Sequence, residues 1–194
     1  NFDRTRLDLA YGRPLDDQWS FHVGGFFRQG EGPRSVGYTA EDGGQIKGNL
    51  TRKFAGGFVR AHFKLLDDRA PVYLPVPVSI TGTSSDPHFA SLPGFDLLNG
   101  AMQSKYLRED LSVDRDGRVV RTELRDGYRS ESRALGLEAE FDVAESWRFE
   151  GRARVAATTG RFVGPYPAEV ASASAIATEI GGPGATLRYA NGGL

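Results

Sequence analysis

Six segments of this chain alternate apolar and polar residues with a period of two, and this most restricts what it can fold into. A half-buried strand requires that period because successive side chains point to opposite faces. In "GQIKGNLTRKFAGGFVRAHFKLLDD", Ile46 and Leu50 share one parity before a small turn, and Val59, Ala61, Phe63 and Leu65 share one parity after it. The other parity carries Lys47, Asn49 and Thr51, then Arg60, His62 and Lys64. The same reading predicts strands over 3–12, 18–29, 44–54, 57–67, 133–143 and 147–157. Phe26 interrupts the second, which implies a bulge or an aromatic on the polar side. The predicted class is all-β, built from antiparallel up-and-down strands.

The connections alternate in length. Arg13–Asp17, Ala55–Gly57 and Ala144–Ser146 are short turns, whereas the loops 30–43, 68–132 and 158–194 are long and share the opposite end of the hairpins. Loops of this length are uncommon in a compact domain. Tyr11, Trp19, Phe54, Trp147 and Phe149 stand beside the short turns, as an interfacial girdle would. Acids on 133–143 and bases on 147–157 would face one another across a polar interior. These signs point to an arc of a transmembrane β-barrel. A β-sandwich also alternates, but it accounts less well for the charged faces and the alternating loop lengths.

Composition narrows the function. The chain of 194 residues has 24 basic and 25 acidic side chains and a net charge of −1. That balance speaks against a nucleic-acid partner, which selects a basic excess. There is no cysteine, so disulfides and zinc thiolates are excluded. No apolar run reaches the roughly 18 residues of a membrane helix, a test that a β-barrel escapes. The chain begins at Asn1 with neither a methionine nor a signal peptide, the pattern of a mature piece or an excised fragment.

Motifs for chemistry are sparse. "GEGPRSVG" lacks the ending of a phosphate loop, and there is no HExxH pair. Ser84, Ser85 and His88 are close in sequence but read as turn residues. "SVDRDGRVV" predicts a hairpin turning at Asp116-Gly117. Its weak alternative is a calcium loop with ligands Asp114, Asp116 and Glu123, although Ser112 stands where the first acid belongs. "FDLLNGAMQSKYL" suggests a short helix. No enzyme and no cofactor are expected.

The strings "GGFFRQGEGPRSVGYTAEDGGQIKGNLTRKF" and "FKLLDDRAPVYLPVPV" resemble the β-barrel region of TonB-dependent outer-membrane receptors of sphingomonad- and Caulobacter-like bacteria. The likeness covers Leu7 to Val78; from Leu135 to Val155 it is generic barrel patterning. It implies a barrel of about 22 strands with a plug inside, short periplasmic turns and long extracellular loops, in the bacterial outer membrane. It further implies active uptake of a scarce nutrient such as a siderophore or oligosaccharide. The implied partners are membrane lipid, the plug domain, the TonB energy-transducing complex and a small-molecule nutrient. No plug domain or TonB box is found here, so the chain would be a fragment. The alternatives are a passive porin-like barrel or a soluble β-sandwich binding module.

Ligand-contact candidates follow from position. Arg28, Glu31 and Arg34 cluster at the top of the second strand, and Arg60 and Lys64 share the polar parity of the fourth. Tyr73, Phe89, Phe95 and Tyr106 lie in the long loop. Cations suit carboxylates, and aromatics suit sugars or ring systems.

Overall fold

Where a strand's two parities differ in polarity, one register of pairing keeps like faces together and a slip of one residue scrambles them. The computed structural model, which describes residues 3–73, 75–166 and 169–188, follows that rule. Strands β1 (Thr5–Pro14), β2 (Trp19–Gly30), β3 (Glu41–Phe54) and β4 (Gly57–Ala70) form an antiparallel meander. Two small hairpins follow: β5 (Ser79–Thr83) with β6 (Asp86–Ala90), and β7 (Glu109–Val113) with β8 (Val119–Glu123). Strands β9 (Tyr128–Ala144) and β10 (Trp147–Phe162) then return to the large sheet, whose order is β1-β2-β3-β4-β9-β10. Helix α1 (Ala173–Gly181) follows, its first turn capped by the Ser172 hydroxyl, which accepts from the Ala175 amide.

The registers join the apolar parities of six strands into one face. Leu7 lies opposite Phe27, Phe21 opposite Leu50, Ile46 opposite Leu65, Phe63 opposite Leu135, and Leu135 opposite Val155. Nothing among the described residues covers this face. Leu9 is 66% exposed, Leu135 64% and Val155 70%. The buried apolar side chains instead include Val36, Ala40, Val72 and Leu124, where the long connections fold over one end of the sheet.

Specific polar contacts hold that end. Arg28 donates to Asp68 at 2.7 Å and reaches Glu41 at 3.2 Å, and Arg4 meets Glu41 at 2.7 Å. These pairs tie β2, β3, β4 and the residue before β1 together. At the opposite end the β3–β4 turn needs Gly56, whose φ of 86° is left-handed.

The barrel expectation is corrected here. Among the described residues there are three separate antiparallel sheets, and none closes on itself. Among these residues strand β1 pairs only with β2, and β10 only with β9, which leaves the large sheet two edges without a partner strand. Period two is required equally by an open sheet and a barrel, so the pattern could not separate them. A sandwich is not formed within the described residues either, because no second sheet covers the apolar face.

Local expectations met different outcomes. Phe26 produces no bulge: β2 keeps continuous register on both sides, and Arg6 lies 4.4 Å above the Phe26 ring. The hairpin at Asp116-Gly117 forms, with φ of 76° at Gly117. The helix expected within Phe95–Leu107 is replaced by turns. The Asp96 carboxylate accepts from the Leu98 and Asn99 amides, a local bond that competes with helix.

Candidate functional site

The polar parity of the same six strands forms the second face, and its middle is a groove of about 690 Å³. Strand β2 contributes His22, β3 Lys47 and Asn49, β4 His62 and Lys64, β9 Glu138, and β10 Arg152 and Arg154. Small residues open the floor: Ala134 and Gly136 stand between the charged columns of β4 and β10.

Pairing divides these charges into two groups. Glu138 is the centre of the first. Arg152 reaches it at 3.0 Å, and Arg60 and His62 each at 3.4 Å. Burial pushes the Glu138 carboxyl up. The hydrogen bond from His62 and the charges of Arg152 and Arg60 outweigh that and hold it below the usual glutamate range. Arg60 is fixed on its other side by the Thr51 hydroxyl, which accepts from Nε at 2.7 Å.

The second group is unneutralised. Lys47 and Lys64 are directly opposite one another on β3 and β4. Neither, nor Arg154, makes an ion pair among the described residues. Like charges directly opposite in a sheet are destabilising. Among the described residues Glu138 is the only carboxylate lining the groove, and its neighbours are already Arg152, Arg60 and His62. The groove therefore carries a cationic excess on the Lys47–Lys64 side. A ligand presenting carboxylate or phosphate oxygens would supply the missing counter-charge.

The candidates from sequence are scattered by this geometry. Arg60 and Lys64 are on the groove strand, one neutralised and one free. Arg28 is bound to Asp68 and Glu41. Glu31 accepts the Val36 amide at 2.8 Å and the Gly37 amide at 3.1 Å. Arg34 donates to the Leu97 and Gly100 carbonyls at 2.9 and 2.7 Å. The Tyr73 hydroxyl donates to the Glu31 carbonyl, and burial pushes that phenol's pKa upward. Glu31, Arg34 and Tyr73 hold the long connections in place, whereas Arg28 ties β2 to β3 and β4. Phe89 on β6 and Tyr106 are exposed, and half-buried Phe95 lies in the intervening turns.

The calcium candidates have other partners. The Asp114 carboxylate accepts from the Asp116 and Arg118 amides, and Glu123 binds Arg108 and Arg125. Among the described residues, no group of three or more His, Cys, Asp or Glu is arranged to hold a metal ion.

Sequence reasoning missed His22, Lys47, Asn49, Glu138, Arg152 and Arg154 as one constellation. Each stands at a polar parity, but only the β2–β3, β3–β4, β4–β9 and β9–β10 registers bring them together.

Comparison with protein-family models, with curated proteins and with solved structures gave no match. The receptor expectation does not survive these findings. The sheet is open at both edges, and no receptor family model matches the chain. The outer-membrane location, lipid contact, plug, TonB complex, nutrient cargo and transport role rested on that resemblance, and are corrected with it. Among the described residues, no helix is long and apolar enough to cross a membrane.

Proposed function

We propose that this chain is a β-sheet binding module, and not an enzyme, that takes an anionic small molecule on its polar face. The ligand class is a molecule with two or more carboxylate or phosphate groups. The observation that carries the reading is the Lys47–Lys64 pair, opposed across two strands in an open groove whose carboxylate, Glu138, is already paired with Arg152, Arg60 and His62. Two ammonium groups held side by side select two anionic oxygens more strongly than one. Asn49 on β3 and His22 on the adjoining β2 add hydrogen-bonding capacity beside them.

Calorimetric titration with citrate tests the reading. The expected result is saturable binding that weakens as salt is raised, because the site is open to screening. The double variant Lys47→Ala/Lys64→Ala should abolish it while leaving the fold intact by circular dichroism. Absent binding, or equal heats from the folded double variant and the parent chain, would overturn the proposal.

A further inference from the structure

We propose that the free edge of β10 docks an extended polypeptide segment that alternates acidic and apolar residues. This inference rests on the outer backbone edge of the sheet, whose Arg152 and Arg154 side chains also line the anion groove.

Strand β10 has 16 residues and, among the described residues, pairs on one side only. From Arg148 to Phe162 each residue faces a β9 partner without interruption, and the only irregularity is at Trp147/Arg148. The strand contains no proline. A long, flat, unpaired edge is a template for another strand, and native sheets usually blunt such edges. The opposite edge is less suited: β1 has 10 residues and ends at Pro14, and its Arg6 is already paired with Asp8 at 2.7 Å.

Charge defines the incoming strand. Glu138, Glu140 and Asp142 form an acidic column on β9, and Arg148 and Arg152 on β10 answer it. Arg152 remains 83% exposed beyond Glu138. Arg154 has no ion-pair partner among the described residues, and Glu150 is the single acid of this parity on β10. The next column outward is therefore complementary to carboxylates beside Arg152 and Arg154. On the opposite parity Phe149, Ala153 and Val155 continue the apolar face, so the alternate residues of the segment must be apolar. Backbone hydrogen bonds would supply affinity, and the two columns would supply specificity.

A fluorescent peptide alternating valine and glutamate, flanked by threonines, is the probe. Anisotropy should report saturable binding, and deuterium exchange should report new protection on β10. A lysine-for-glutamate peptide should bind about tenfold more weakly or worse. The Arg152→Glu/Arg154→Glu variant should reverse that preference. A peptide N-methylated at every residue should not bind, because it has no backbone N–H left to donate to the edge. Lys47→Ala/Lys64→Ala should bind the peptide as the parent does, which separates the β10 edge from the lysine pair. Protection on β1 instead of β10, undiminished binding of the N-methylated peptide, or an unchanged charge preference in the reversed variant would overturn the proposal.

Discussion

Replacing Gly48 by alanine tests the packing that lies under both faces. A Cβ built there stands 2.7 Å from the His22 carbonyl oxygen and 2.8 and 3.1 Å from two ring atoms of Phe63. The Phe63 ring lies across the glycine from the neighbouring strand, an aromatic covering a gap. The ring can turn aside, but the carbonyl belongs to the β2–β3 backbone and cannot move without bending the ladder. Such overpacking costs about 1–3 kcal/mol. Loss of glycine's freedom in the unfolded chain returns about 0.4–1 kcal/mol. The net expectation is destabilisation by about 1–2 kcal/mol. With a urea slope of about 2 kcal/mol per molar, the midpoint should fall by roughly 0.5–1 M. Gly136→Ala is the matched control. Its Cβ would lie 3.4 Å from the Ala153 carbonyl and 3.8 Å from His62 Cβ, so it should be neutral or stabilising. Equal midpoints for the two variants in urea unfolding would refute the assigned packing.

Three further outcomes follow from the charges. Lys64→Glu places opposite charges on facing residues of β3 and β4 and should raise stability by about 0.2–1 kcal/mol, while abolishing citrate binding; thermal unfolding and calorimetry on one sample check both. Glu138 should titrate below an ordinary glutamate by carbon-detected NMR, since its folded value is depressed. Its contribution to stability is complete above the unfolded value near about 4.3, and is lost as pH falls through the lower folded value. Glu138→Gln should flatten stability across that window, and an unchanged acid slope would contradict the pairing. Arg28→Ala removes a guanidinium only 15% exposed and leaves Asp68 and Glu41 without it; a loss of about 3–5 kcal/mol is expected on urea unfolding, and a loss below 1 kcal/mol would mean that the cluster does not hold this end of the sheet.

Local order was the legible part of this molecule. Parity can be read along one strand, so the polar and apolar sides of 44–54 and 57–67 were visible without a partner strand. The turn at Asp116-Gly117 was visible because positive φ selects glycine locally. The candidate site was only half visible. Arg60 and Lys64 looked alike on one parity, yet Arg60 is neutralised by Glu138, 78 residues away in sequence, and Lys64 is not. Likewise Arg28, Glu31, Arg34 and Tyr73 looked like ligand contacts at loop ends. Their partners, Asp68, the Val36 amide, the Leu97 carbonyl and the Glu31 carbonyl, make Arg28 a tie between β2 and β4 and the other three supports for the connections instead.

Sequence alone determined that this chain makes long strands, where the short turns between them fall, and that each of those strands has a charged and a greasy side. Those properties depend on dihedral preference and on a two-residue repeat within one segment. Whether the strands close, which columns of charge meet, and which cations stay unneutralised were decided only by the tertiary structure. Closure depends on strand tilt and shear across the whole sheet. Ion pairing depends on register between segments that the chain separates by many residues. An alternating strand satisfies its own period equally well in a barrel, a sandwich or an open sheet, and only its neighbours choose among them.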